Sequence, residues 1–430
     1  MQKLKKAVIT GVGVVSPLGS GVERWTNGLR EGRSATRAIS LFDAHNPIIG
    51  IDQNQNPLAC RVAAECLDFS SHDWMDKRDL ERVPRVVPMA IAATHEALKS
   101  AGLEEMTDAQ KRKAAVVLGS GGGGFSFAEA QFAHWYHNQS TRLSPYAVSS
   151  AIAGMVSSEI SIAFGLHGRS HTFSNGCTSS SDAIGNALDL IRSGRETMIV
   201  CGGADAPITP ATIAAFCLMR AVPTHWNDAP DKASRPFSAN RDGFVLGEGA
   251  WIFIIEEMES ALSRDAKPIT EIAGYGATCE AFHRVALGAP DEAARAMISA
   301  LKDAQVAPEE IDYVNLHGTA TQLNDPLETA ALKMALGEKA RSTPCSSTKS
   351  QIGHPQGASG AAGVAATLAA MQHNFLPPTI NLDSPDENCD LDYVANVSRA
   401  GNVQTALCNC LGFGSKNSAL VLKNSRNNAL

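Results

Sequence analysis

Short β-branched or apolar runs alternate with longer alanine-rich segments along the chain, and this alternation restricts the folds open to it. AVITGVGVV, PMAIAATHEALKSAG, AAVVLGSG, SSDAIGNALDLIRSG and TMIVCGGA form a first series of strand-like and helix-like segments. After Gly247-Glu248-Gly249, the run AWIFIIEEMESALSRDA reads as a strand entering a helix. A second series follows: ITEIAGYGA, EAARAMISALKDAQV, IDYVNLHG, ETAALKMALG, TPCSSTKS, GAAGVAATLAAMQ and SALVLK. Such alternation predicts a layered α/β architecture with helices covering the sheets. The two series are similar in length and order but share no residue-level repeat. They predict two duplicated halves, 1–260 and 261–430. A chain of 430 residues exceeds the length at which one core keeps growing, which also favours two packed halves.

Composition excludes several classes. An apolar fraction of 44% with 19% charged residues is that of a soluble globular protein. The formal charge of −7 argues against non-specific nucleic-acid binding, though a local basic patch could still recruit an acidic protein. Ten cysteines lack C-x-x-C spacing, which disfavours a zinc ribbon or a disulfide framework and predicts a reducing compartment, the cytoplasm. The basic start followed by AVITGVGVVSPLGSG mimics a signal peptide, but Gly11, Gly13 and Pro17 interrupt it, so a first strand and turn explain it better. No run approaches the roughly 18 apolar residues that span a bilayer.

Three loops carry chemistry. In HTFSNGCTSSSDAIGNALDLIRSG, Cys177 lies just before an amphipathic helix. There the helix dipole favours a thiolate, and free backbone N–H groups can hold an oxyanion. A small buried cysteine is the blander alternative and fits most of the other nine. His317 follows an apolar strand in IDYVNLHGTATQLNDPLE, where an imidazole can project into a cleft. SSTKSQIGHPQGASGAAGVAA places Lys349 and His354 before a helix of very small residues. Alone, each histidine reads as structural. Together with a helix-capped cysteine they suit attack on a thioester with loss of a carboxylate as CO2, which requires no metal.

Five blocks follow one another along the chain: ASRPFSANRDGFVLGEGA (233–250), NLHGTATQLND (315–325), SSTKSQIGH (346–354), PPTINLD (377–383) and LCNCLGFGSKN (407–417). In type and order they resemble the β-ketoacyl-ACP synthases of the thiolase-like superfamily. The resemblance implies a five-layered α-β-α-β-α sandwich, dimeric through strands near the nucleophile. It implies that Cys177 accepts an acyl group and that its N–H and that of Phe413 form the oxyanion hole. His317 and His354 would bind the malonyl thioester and promote decarboxylation, with Lys349 setting the electrostatics. Phe413 would act as a gate, and Thr319 and Thr321 would line the phosphopantetheine channel. Gly122, where the family often has a bulky aliphatic residue, and Phe216 would contact the acyl chain. Loss of that side chain would enlarge the tunnel, as in synthases extending polyene or aryl-capped chains, although a glycine turn explains any one of these glycines almost as well.

No cofactor is implied beyond phosphopantetheine on the acyl carrier protein. That acidic partner would dock on Lys77, Arg78, Arg82, Arg85 and Arg220; alternatively, the first four form a solvated helix face balanced by Asp76, Asp79 and Glu81. The dimer would be a homodimer or a heterodimer with a chain-length-factor subunit. Three departures stand out. Gly363 replaces the usual Glu that would partner Lys349 and serve any cation there, SNGC replaces T-A-C, and GFGSKN replaces G-F-G-G-T-N. A chain-length factor itself would usually lack Cys177. A degradative thiolase would use a second cysteine near the C-terminus, for which Cys408 and Cys410 are candidates. An initiating synthase would pair Cys with His and Asn, so His354 argues for the elongating type.

Overall fold

A computed structural model describes residues 4–47, 57–137 and 143–425. Ten strands form the long path of its main sheet: β1 (Ala7–Ser16), β2 (Ala115–Gly119), β3 (Ser170–Phe173), β4 (Met198–Asp205), β5 (Gly249–Glu257), β6 (Thr270–Cys279), β7 (Tyr313–Asn315), β8 (Cys345–Ser346), β9 (Thr405–Gly412) and β10 (Lys416–Asn424). Their spatial order is β8-β7-β9-β10-β6-β1-β5-β4-β2-β3. Counted outward from the middle, β1-β5-β4-β2-β3 and β6-β10-β9-β7-β8 follow one topology. In each run the first two pairings are antiparallel and the last two parallel. The runs meet where β1 pairs antiparallel with β6, Val8 opposite Glu271.

Strands covered on both faces read as continuous apolar runs. β1 and β5 are buried at every position, which is why AVITGVGVV and AWIFII show no alternation. Helices α1 (Val86–Ser100), α2 (Met155–Phe164), α3 (Ser179–Arg192), α4 (Pro210–Leu218), α5 (Pro290–Ala304), α6 (Asn324–Leu336) and α7 (Ser359–His373) complete the frame needed here. α3 and α7 pack on each other and touch strands of both runs, while α1 packs on β1 and β5 and α5 on β6 and β10. Three apolar clusters fill the spaces between these layers. The layering is the expected α-β-α-β-α. The glycines of β1 are a close approach rather than a turn: a Cβ at Gly13 would lie 1.9 Å from the Ala93 carbonyl oxygen of α1. Likewise α7 is built of small residues because it is buried from Ser359 to Met371, and a Cβ at Gly360 would strike Ser181 Oγ at 2.0 Å. Among the described residues no helix is long and apolar enough to cross a membrane.

Candidate active site

The site forms where turns leaving β3, β7 and β8 converge. Cys177 sits in a turn of 3-10 helix, Gly176–Thr178, between β3 and α3, and is buried. Gly176 holds φ at 70°, which explains the glycine of SNGC. Burial raises the Cys177 thiol to about 11, against the pull of the Lys349 charge and of the backbone N–H groups of Phe413 and Cys177 itself. The expected thiolate bias at the helix start is therefore present in direction but outweighed by desolvation. The two N–H groups that reach the sulfur are the pair expected to form an oxyanion hole.

His354 reaches Cys177 directly: its Nε2 lies 3.2 Å from Cys177 Sγ. The backbone N–H of Gln356 donates to His354 Nδ1 at 3.2 Å, so the ring hydrogen resides on Nε2 and faces the sulfur. The His317 ring stands 5.2 Å from that of His354, at 87°. Burial, reinforced by the nearby Lys349 ammonium, pushes both histidines well below the ordinary imidazole value, which leaves them neutral at physiological pH.

α6 holds the His317 turn. The N–H groups of His317 and Gly318 each donate to the Glu328 carboxylate at 2.7 Å, Asn409 Nδ2 donates to it at 2.6 Å, and Thr319 N–H donates to Asp325 at 3.2 Å. Burial lifts Glu328 to about 7 despite these donors. Lys349 is itself lowered by burial and held up by the Glu328 and Asp325 carboxylates. At Gly363 a Cβ would lie 2.6 Å from Asn315 Oδ1, so that amide occupies the side where a carboxylate was expected, and α6 supplies the acidic groups instead. Glu328 and Asp325 escaped the sequence reading although they lie in the quoted LNDPLE. The Cys177 sulfur and one ring nitrogen each of His317 and His354 lie within 4.8 Å of one another, but the buried Lys349 charge opposes a cation there.

Two cavities flank an aromatic cluster. The first, about 360 Å³, is lined by Cys177, His317, His354, Thr319, Thr321 and Phe413. The threonine hydroxyls meet at 3.0 Å. Arg220 stands at this cavity too, exposed. The second, about 200 Å³, is lined by Gly122, Asp205, Phe216 and Gln356. Phe216 packs 5.0 Å from Phe244 and 6.4 Å from Phe413, so these rings separate the two spaces. Gly122 does not need positive φ, and a Cβ there would make an ordinary 3.4 Å contact with Asp205 Oδ1. Its absence of side chain thus opens space rather than serving the backbone. Asp205, also missed in the sequence, accepts from the N–H groups of Gly121, Gly122 and Gly357 and is raised by burial to about 6.

The basic cluster divides into exposed and inward-turned members. Lys77 and Arg78 are exposed on a short helix, Lys77–Leu80. Arg82 pairs with Asp79 at 3.1 Å and lies over the Tyr146 ring. Arg85 does not belong with them: it turns inward and binds the fully buried Glu248 through two nitrogens, at 2.8 and 2.9 Å. Leaving Glu248 unpaired in the interior would be strongly unfavourable, which assigns Arg85 to the fold. Cys410, a candidate second cysteine for a thiolase, bonds back to the Cys177 carbonyl and does not line the cavity.

Comparison with known proteins follows the same lines. The β-ketoacyl synthase N-terminal domain family matches residues 5–261, and the β-ketoacyl synthase C-terminal domain family matches 269–383. The chain is 40% identical over 421 residues to 3-oxoacyl-(acyl-carrier-protein) synthase 2 of Synechocystis, covering 97% of this chain and 98% of that one. It is 39% identical over 431 residues to the tetracenomycin polyketide synthase ketoacyl synthase alpha subunit of Streptomyces glaucescens, covering 97% of each. Among solved structures it is similar to the ishigamide ketosynthase/chain length factor, with TM-score 0.88, 32% identity and coverage of 98% of this chain and 100% of that one. The chain belongs to the β-ketoacyl synthase family.

Proposed function

We propose that this protein is an elongating 3-oxoacyl-carrier-protein synthase in which the half 1–260 supplies the nucleophile and the half 261–430 supplies the two histidines. The observation that carries this reading is Cys177 Sγ set 3.2 Å from a hydrogen-bearing His354 Nε2 and within reach of two backbone N–H groups. Cys177 sulfur attacks the acyl thioester, the oxyanion rests on the N–H groups of Cys177 and Phe413, and the carrier thiol departs with the proton. Malonyl thioester then binds with its carbonyl at the histidines. Its carboxylate carbon leaves as CO2, and the electron pair of the broken bond passes to the enolate held by an imidazole hydrogen. The enolate carbon attacks the acyl-Cys177 carbonyl and releases the cysteine sulfur. Burial, reinforced by the Lys349 charge, keeps both imidazoles neutral for this role. Thr319 and Thr321 receive the phosphopantetheine amides.

The acyl chain occupies the second cavity when Phe413 moves aside, with Gly122 and Phe216 on its walls. An open wall at Gly122 suits a long or rigid chain, polyene or aryl-capped, of polyketide type rather than a short saturated one. The acidic carrier protein docks on Arg78, Lys77 and Arg82, with Arg220 at the mouth. The protein works in the cytoplasm as a dimer, with itself or with a chain-length-factor subunit. The pairing runs along β3, whose outer edge has no strand among the described residues, beside the exposed Ile162 of α2, which packs on β3.

Intact-mass spectrometry after incubation with carrier proteins bearing saturated, polyunsaturated and aryl-capped chains tests this. Acyl mass on Cys177 from unsaturated or aryl-capped chains alone supports the specialised reading. Acylation mainly by saturated chains would reduce it to an ordinary fatty-acid elongator. Absence of acylation by every chain, with and without a chain-length-factor partner, would contradict the synthase reading.

A further inference from the structure

One carboxylate with no part in the steps above holds the Cys177 turn from both flanks. Asp182, in the first turn of α3, accepts through Oδ2 from the Asn175 side-chain amide and from the Thr178 hydroxyl, both at 2.9 Å. Its Oδ1 accepts from the Tyr275 hydroxyl at 2.7 Å. A carboxylate has lone pairs for all three donors. Asn175, part of the SNGC departure, precedes the cysteine and Thr178 follows it, with Gly176 at φ 70° between them. The bonds close a ring around the backbone that carries the Cys177 N–H.

Tyr275 comes from the other half of the chain, and the frame alone does not call for it. β1 and β6 hold equivalent places in the two runs. In β1, a Cβ at Gly11 or Gly13 would strike the carbonyl oxygen of Ala97 or Ala93 on α1; in β6, one at Gly274 or Gly276 would strike that of Ala300 or Ala296 on α5. Between the paired glycines stand Val12 in β1 and Tyr275 in β6. Val12 lines a cavity of about 190 Å³. Tyr275 instead reaches across to α3, with its ring against Gly185, where a Cβ would lie 2.5 Å from it. Burial and then the Asp182 charge push the Tyr275 hydroxyl above the ordinary phenol value, so it stays a donor.

We propose that Asp182 and Tyr275 are positioning residues that hold the Cys177 turn so that its backbone N–H stays aimed at the acyl oxyanion. The second half thereby braces the nucleophile of the first. Removing the brace weakens a donor that acts only on the oxyanion, so acyl transfer suffers while chemistry that does not use that donor is spared. The kinetic consequence rests on the proposed function, whereas the brace itself does not.

Tyr275→Phe and Thr178→Val each delete one hydroxyl while keeping side-chain shape, and both test this on the full chain. Three rates are compared with wild type: acyl transfer to Cys177 from acyl-carrier protein, alkylation of Cys177 by iodoacetamide, which forms no oxyanion, and decarboxylation of malonyl-carrier protein. In each variant acyl transfer should fall about tenfold while alkylation and decarboxylation change less than about twofold. Amide hydrogen exchange of residues 174–179, read by mass spectrometry, should quicken about tenfold with the rest of the chain unchanged. Unchanged acyl transfer, equal loss of all three rates, or unchanged exchange at 174–179 would overturn the proposal. Wild-type protein that takes up no acyl group would instead count against the synthase reading, and the exchange at 174–179 then decides the brace by itself.

Discussion

The two halves of the sheet share one strand order yet carry opposite chemistry at matching exits. In the first half the turn leaving β2 is the glycine run Gly119–Gly124 and the turn leaving β3 holds Cys177. In the second half the equivalent strands β7 and β8 lead to His317 and to Lys349 with His354. Each half anchors its turns with a buried carboxylate. Glu328 accepts from His317 and Gly318 within its own half, whereas Asp205 bridges the halves, accepting from Gly121 and from Gly357 beside His354. The duplicated frame therefore fixes where side chains meet, and under the proposed function the residues at the exits make one half the nucleophile and the other its acid–base partner.

The largest expected effect of breaking this arrangement is at Glu328. Glu328→Ala leaves the N–H groups of His317 and Gly318 and the Asn409 amide without their buried acceptor. Unfolding free energy should fall by about 3 kcal/mol or more in denaturant titration, with condensation reduced at least about a hundredfold. Next comes the glycine run, where two neighbouring positions should part company. A Cβ at Gly124 would lie 1.7 Å from the Ser150 carbonyl oxygen, so Gly124→Ala should destabilise by about 2–3 kcal/mol. Gly122→Ile should change stability by less than about 1–2 kcal/mol but shorten the longest accepted acyl chain. An unchanged product profile would remove Gly122 from the specificity account.

A third prediction concerns pH. Because the Cys177 thiol is raised to about 11, its thiolate fraction grows roughly tenfold per pH unit throughout the accessible range. Iodoacetamide labelling of Cys177 should still be climbing between about pH 8 and 10, and a plateau below that would contradict the burial argument. Lys349 pulls the thiol down, so Lys349→Met should raise it further and slow labelling at fixed pH by about tenfold. The smallest effect is expected at the surface. Arg78→Glu should raise KM for carrier protein about threefold at low salt and little at high salt. Arg85→Ala should instead lower stability through the orphaned Glu248.

Much of this was legible in the chain. Strand and helix periodicity announced the layers and the duplicated halves, because strands buried on both faces are continuously apolar and central helices must be small. Cys177, His317, His354 and Phe413 were legible because each sits in a motif at a strand exit. The carboxylates were not: Asp205, Asp325 and Glu328 read as ordinary acidic residues until folding aims N–H groups at them. Arg85 misled for the converse reason, since its partner Glu248 lies 163 residues away and only the tertiary structure joins them.

The most direct test of the division between the halves is to measure the two half-reactions separately in Cys177→Ala and His354→Ala, by acyl transfer to the enzyme and by decarboxylation of malonyl-carrier protein. The predicted result is a double dissociation: Cys177→Ala loses acylation and still decarboxylates, while His354→Ala keeps part of its acylation and loses decarboxylation by at least about a hundredfold. Equal loss of both half-reactions in both variants would contradict it.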